Sequence, residues 1–227
     1  MLRFTPILLA VLYGFAMYRM SAWRTAKELS AKSTELADPK LQPILDRLAR
    51  ALDLPRVRVY LYEIDPVNGL AAPDGRIFIT RGFYRKFTEG AVSAEELASV
   101  IAHELGHVAL GHSRRRMIDF SGQNALRTAL AMVLSRFLPG IGGFVANSII
   151  KLFSARLSRT DEYEADEYAA ALLTKSGFGV APQISLFQKL EDLTQSQAGS
   201  APAWLLSHPK TELRIKAIQQ LDEKWGH

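Results

Sequence analysis

Apolar residues change their spacing along this chain, and each spacing predicts a different element. From Phe4 to Tyr18 they are nearly continuous, broken only by Thr5, Pro6 and Gly14 and flanked by Arg3 and Arg19. This run sits at the lower limit of about 17 residues for a helix that crosses a bilayer, and Tyr13, Tyr18 and Trp23 suit its interface. A cleaved signal peptide is the rival reading. It needs small residues where Met17, Tyr18, Arg19 and Met20 stand, so residues 1–20 are read as an uncleaved membrane anchor. Arg19, Arg24, Lys27 and Lys32 lie on the C-terminal side of the run, against Arg3 and the terminal amine on the other. That asymmetry leans weakly towards a cytoplasmic position for residues 21–227, leaving the side of the membrane open.

Residues 21–40 are polar and read as a linker or exposed helix. Leu41, Ile44, Leu45, Leu48 and Leu52 then recur at helical spacing, with Asp38-Pro39 as cap and first-turn proline. Val57–Tyr62 and Arg76–Thr80 are strands, separated by the turn signals Asp65-Pro66, Asn68-Gly69 and Pro73-Asp74-Gly75, and they predict a small antiparallel sheet. After Ser93 the pattern is helical to the end. Ser93 and Glu96 form a capping box that opens a helix over Glu95–Leu110, stopped near Gly111. A second apolar helical region spans Ala125–Leu138 and is broken by Pro139-Gly140 and Gly142-Gly143. A long helix comes next, through Leu173, then helices over Pro182–Leu193 and Lys210–Trp225, with a loop over Thr194–Pro202. Neither apolar piece between 125 and 153 is long enough to span a bilayer, so these are core helices or helices lying on a membrane surface. The expected class is α+β: a mainly helical domain over 41–227 with a small sheet, preceded by the membrane helix and the 21–40 connection.

Composition narrows the chemistry. The 227 residues contain no cysteine, so a metal here must be held by histidines and carboxylates. The formal charge of +5 favours anionic surfaces. With an apolar N-terminus, lipid headgroups are the natural partner, and nucleic acid is not expected. Arg114-Arg115-Arg116 reads as a solvated helix end, with membrane phosphates as the sharper alternative.

His103-Glu104-Leu105-Gly106-His107 carries the strongest signal. An α-helix turns about 100° per residue, so side chains four apart lie one above the other. His103 and His107 can therefore share one zinc ion, and Glu104 sits beside it as a general base for a bound water. The flanking Val100, Ile101, Ala102, Leu105 and Val108 are apolar, which does not suit a solvated face. No third histidine stands at the spacing one zinc subclass uses; His112 reads as a helix-end residue near the C-terminal dipole. The third ligand must then be a carboxylate from a later helix. The segment Ser158–Asp166 offers Asp161, Glu162, Glu164 and Asp166, of which Glu162 and Asp166 share a face. One could bind metal and the other brace a ligand imidazole; spacing leaves the choice open, and a solvated acidic face is the plain alternative.

The ordered set of Asn68–Gly75, His103–His107, Ser158-Arg159 through Asp166, Ser207-His208-Pro209 and Arg214-Ile215 resembles the HtpX-type and CAAX-prenyl-protease-type zinc metallopeptidases, a gluzincin family. The resemblance runs from about residue 40 to the C-terminus. It implies one zinc per chain held by His103, His107 and Glu162, with Asp166 supporting a ligand histidine and Arg214 ordering that corner through a salt bridge. It also implies that His208 lies near the site as an oxyanion stabiliser. It implies that Asn68, Gly69, Leu70 and Ala71 form the edge strand on which a peptide substrate lies extended. The multi-span core of the prenyl-protease type is missing, so a membrane-anchored protein quality-control endopeptidase fits better by analogy. The alternative function is a non-catalytic, zinc-stabilised membrane adaptor; the presence of Glu104 argues against it.

Overall fold

The computed structural model describes residues 5–72, 74–112, 115, 131, 134–138, 140–195, 208 and 212–226. Helix α1 spans Thr5–Ala31, and strand β1 (Ser33–Glu35) comes after it. Then come helix α2 (Gln42–Ala51), strands β2 (Val59–Tyr62), β3 (Gly69–Ala71) and β4 (Ile77–Thr80), and helices α3 (Arg81–Thr88) and α4 (Ala94–Ala109). Helices α5 (Gly142–Lys175), α6 (Ala181–Gln195) and α7 (Glu212–Trp225) complete the described elements. A mostly helical chain with one small sheet is an α+β architecture.

The sheet is mixed, which corrects the antiparallel expectation. Its strand order is β1-β2-β4-β3. β1 and β3 pair antiparallel with their neighbours, whereas β2 and β4 run parallel. The reason lies in β4, whose four residues Ile77, Phe78, Ile79 and Thr80 are all buried. A strand apolar on both faces belongs in the middle of a sheet. The tight turn after Ala72, closed by the bonds from Gly75 N to Ala72 O (2.9 Å) and Ala72 N to Arg76 O (2.8 Å), folds β4 back on β3. β3 thus takes the edge and β4 lies beside β2. Side chains alternate across the sheet. Val59, Leu61, Ile77 and Ile79 face the main core, which they share with α2, α3, α4, α5 and α6. Phe78 faces the other side with Leu29, Ala72, Tyr60, Tyr62 and Leu70.

That second face explains the end of α1. Leu29 is buried there, and Arg76 donates to Ser30 Oγ (3.0 Å) and Ala26 O (3.2 Å). The 21–40 stretch is thus exposed helix up to Ala31 and then an edge strand. β1 has the polar sequence Ser-Thr-Glu, with no apolar alternation to announce it. Helix α1 is 27 residues long, but its apolar run ends at Tyr18 and Arg19, Arg24, Lys27 and Glu28 fill the rest. No helix among the described residues is long and apolar enough to cross a membrane.

Other boundaries shift by a residue or two. The cap expected at Asp38-Pro39 is displaced: α2 starts at Gln42 with proline in its first turn, and Asp38 instead accepts from the Lys40 and Leu41 backbone amides (2.7 and 3.3 Å). Helix α3 has no counterpart in the sequence pattern; Thr80 caps it by accepting from Phe83 N (3.3 Å). The Ser93/Glu96 capping box is present on α4. Of the apolar helical region over 125–138, only residues 131 and 134–138 are described, and most of the 194–202 loop lies outside the described residues.

Gly82, in the first turn of α3, lies against the loop after β2. A Cβ there would stand 1.7 Å from Asp65 O, a backbone atom that cannot swing aside. Gly82→Ala should therefore destabilise the fold by about 3 kcal/mol or more, at or beyond the upper end for overpacking. Chemical denaturation measures it, and a loss under about 0.5 kcal/mol, ordinary for surface changes, would contradict the close approach.

Candidate metal centre

Helix α4 is buried over most of its length, and His103, Glu104 and His107 are each buried within it. Burying three polar groups requires partners for them, and α5 and α7 supply these. The crossing of α4 and α5 is made close by Gly106. A Cβ on it would lie 3.1 Å from both Cα and the carbonyl oxygen of Ala165. This contact of two small residues sets Glu162 and Asp166 against the histidines.

His103 Nε2 and His107 Nε2 are 3.1 Å apart. Glu162 Oε2 is 3.4 Å from His103 Nε2, and Glu162 Oε1 is 3.5 Å from His107 Nε2. For zinc bound at about 2.0–2.1 Å, the edge of a ligand tetrahedron is roughly 3.3 Å. The two imidazole nitrogens and the two Glu162 oxygens, one facing each nitrogen, have about that spacing, and the donor set of two imidazoles and a carboxylate is one zinc accepts. The site therefore fits the ion. His208 Nδ1 lies 2.8 Å from Glu162 Oε2 and 3.3 Å from His103 Nε2, so it belongs to the same four-residue group able to hold a metal. Its Nε2 is 3.4 Å from Glu104 Oε1. Ser207 and Pro209, its neighbours in the sequence motif, lie outside the described residues.

The supporting contacts are as specific. Asp166 Oδ1 faces His103 Nδ1 at 2.9 Å; a carboxylate accepts, so Nδ1 carries a hydrogen and Nε2 is the nitrogen turned to the cluster. Arg214, 2% exposed, grips Asp166 with a two-pronged fork, Nε to Oδ2 at 2.6 Å and Nη2 to Oδ1 at 2.7 Å. Its Nη1 also stands 3.4 Å from Glu162 Oε2. Bidentate, charge-assisted bonds of this kind are the strong ones. Gln183 on α6 adds a bond to Asp166 O (3.3 Å).

Charge depends on this geometry. Burial opposes ionisation of Asp166 and Glu162, yet both carboxyls are held below their ordinary range. The Arg214 and His103 contacts do this for Asp166, and the His103 and His208 contacts for Glu162. Burial alone would lower the pKa of His103, but its bonds to Asp166 and Glu162 outweigh that and raise it to about 9. The carboxylates and the imidazole thus favour each other's charged forms despite their burial.

Glu104, Glu162, Asp166, His208 and Arg214 converge here, whereas Asp161 and Glu164 of the same acidic segment stand beside His112 instead. Gly69, Leu70 and Ala71 form β3, at the sheet edge and packed alongside α4, and Asn68 directly precedes it. Asn68 is fixed by Thr80, whose Oγ donates to Asn68 O (3.0 Å) and accepts from Asn68 N (2.9 Å). His112 is a correction. It does lie just past the end of α4, but it turns back to the histidine pair and is fully buried, with Nδ1 2.9 Å from His107 Nδ1. Its Nε2 is 2.9 Å from Glu164 Oε2. The usable signal is Gly111, whose φ of +71° turns the chain back after the helix. Gln183 has no signal in the sequence.

A helix-borne histidine pair, a buried glutamate beside it and a carboxylate from a second helix define a zinc metallopeptidase site. The sequence pattern of Peptidase family M48 matches residues 35–222, and the chain belongs to that family. It is 32% identical over 185 residues to Metalloprotease LoiP of Escherichia coli (strain K12), covering 79% of this chain and 68% of that protein. It is 26% identical over 253 residues to the Protease HtpX homolog of Salinibacter ruber, covering 95% and 88%. It is also 27% identical over 203 residues to the Beta-barrel assembly-enhancing protease of Yersinia pestis, covering 83% of this chain and 40% of that one. The protein is a zinc-dependent metalloendopeptidase that hydrolyses peptide bonds in proteins, not a non-catalytic adaptor.

Proposed function

We propose that His103, His107 and Glu162 hold the zinc ion, that Glu104 is the general base, and that Asp166 and Arg214 brace the ligands. The observation that carries this reading is the convergence of His103 Nε2 and His107 Nε2, 3.1 Å apart, on the Glu162 carboxylate, whose Oε2 and Oε1 stand 3.4 and 3.5 Å from them. When bound there, zinc would supply the Lewis acidity that activates a water and polarises the scissile carbonyl. Glu104, one residue round the helix from His103, takes the water's proton and passes it to the leaving amine. His208, whose Nε2 lines the Glu104 side, donates to the carbonyl oxygen as it gains charge. Asp166 keeps His103 in the tautomer that binds metal, and Arg214 keeps Asp166 ionised and oriented.

Substrate lies along β3. The edge position of Gly69–Ala71 and its packing beside α4 support backbone pairing with an extended peptide, with Asn68, Gly69, Leu70 and Ala71 as the contact residues. Residues 1–20 serve as a single-pass membrane anchor, 21–40 as the connection that lends β1 to the sheet, and 41–227 as the catalytic domain. The apolar Phe4–Tyr18 run and the exposed Leu12, Tyr13, Phe15 and Trp23 support membrane association. A protein tethered this way fits the removal of damaged or misassembled proteins near the bilayer.

Glu162→Ala should lose zinc, measured as metal per chain after dialysis, and with it casein cleavage. Full zinc stoichiometry in that variant would take Glu162 out of the ligand set. Membrane fractionation tests the anchor: recovery of the intact chain in the soluble fraction without detergent argues against it.

A further inference from the structure

The two zinc-binding imidazoles are supported in different ways, and the difference lies in His112 and Glu164. His103 is fixed by a carboxylate, Asp166. His107 Nδ1 instead faces another imidazole nitrogen, His112 Nδ1, at 2.9 Å. Two ring nitrogens at that distance share one hydrogen, so one donates and the other accepts. The other nitrogen of His112 decides which. His112 Nε2 meets Glu164 Oε2 at 2.9 Å, with Asp161 Oδ1 behind it at 3.8 Å. Both are carboxylate oxygens, so in the neutral ring the hydrogen of His112 stands on Nε2 and its Nδ1 is the acceptor. His107 must then carry its own hydrogen on Nδ1, which leaves the Nε2 lone pair directed at His103 Nε2 and Glu162.

We propose that His112 and Glu164 are positioning residues for His107: a carboxylate on α5 fixes the tautomer of a ligand on α4 through an intervening imidazole. The proposal rests on the assignment of His107 as a zinc ligand. His112 is fully buried, with its ring 5.1 Å from that of His107 and inclined at 68°, so it is held rather than free to turn. Glu164 is half exposed, with 45% of its side chain open to solvent. The relay therefore starts at the surface and ends at the metal. His103 and His107 thereby present the same nitrogen to the ion, and their supports come from residues 164 and 166 of one helix.

The test measures zinc affinity by chelator competition on the full chain, with melting of the metal-free protein as a fold control. His112→Leu should weaken zinc by roughly 10–100-fold, the usual cost of removing such a support. His112→Asn should recover most of the loss, because its Oδ1 replaces Nδ1 as the acceptor for His107. Glu164→Leu, at a half-exposed position, should weaken zinc less than His112→Leu, since Asp161 stands near. Nitrogen NMR of ring-labelled, metal-free protein at a pH where the rings are neutral should find His107 as the Nδ1–H tautomer in the wild type and a mixture in His112→Leu. Unchanged affinity in His112→Leu overturns the proposal alone. So does His112→Asn being as weak as His112→Leu with a normal metal-free melt, because then the ring only fills space. A second equivalent of zinc that disappears with His112 would overturn it in favour of a separate metal site at His112, Asp161 and Glu164. If the wild type takes up no zinc, the ligand assignment itself fails, a result distinct from the other three.

Discussion

Glu104→Gln will bind zinc as the wild type does and will cleave casein at least about 10²–10⁴-fold more slowly, the range a positioned general base contributes. The substitution keeps shape and volume, and Glu104 is 1% exposed, so an isosteric amide is the least disruptive change available there. What it removes is the capacity to take a proton. An amide does not accept one from water at neutral pH, and none is then available for the leaving amine. Zinc per chain and initial cleavage rate, measured on the same preparation, separate metal loss from loss of chemistry. Cleavage within tenfold of wild type by a zinc-loaded variant would remove Glu104 from its role. A zinc-free variant would instead place the carboxylate among the groups that hold the ion.

Arg214→Met should be the most damaging single change to the fold. It leaves Asp166 and Glu162 buried at 2% exposure each without their guanidinium, and breaking a buried ion pair by removing one partner costs about 3–5 kcal/mol. For a domain of this size that lowers Tm by on the order of 10 °C. Arg214 also packs its guanidinium over Phe187, 4.7 Å from the ring centroid, so Met, which preserves apolar bulk, isolates the charge. Arg214→Lys should fall between, keeping the charge but not the fork to both oxygens of Asp166. Melting of metal-free protein by calorimetry reads both variants. A drop of only 2 °C or so in Arg214→Met would mean that the carboxylates find other compensation and that the fork adds little.

How far the sequence reveals this site depends on whether a contact is local. His103, Glu104 and His107 are legible because helical periodicity alone aligns them, and Ser93 with Glu96 announces where that helix begins. Glu162 and Asp166 can be found only as a pair with undecided roles. What separates them is the face each turns to α4 across the Gly106–Ala165 crossing, and that is a property of the packing. His112 escapes a periodic reading because a glycine with positive φ ends the helix, and spacing rules for helices do not extend past such a residue. The sheet departs from expectation for a similar reason. β2 and β4 both look like strands, but their parallel pairing depends on β3, a three-residue strand too short for an alternating pattern to mark. Arg214 is visible only through family likeness, since one arginine among 28 Lys and Arg has nothing local to distinguish it.

The spread of the cluster along the chain bears on biosynthesis. His103 and His208 touch although 105 positions separate them, and the arginine that compensates both carboxylates comes six residues later still. On the ribosome the histidine pair emerges before His208 and Arg214, so a nascent chain that ends between them carries the His103–His107 helix without the groups that complete its pocket. Cutting proteins is thus a property that neither stretch of chain holds alone; it arises when segments about a hundred residues apart fold together.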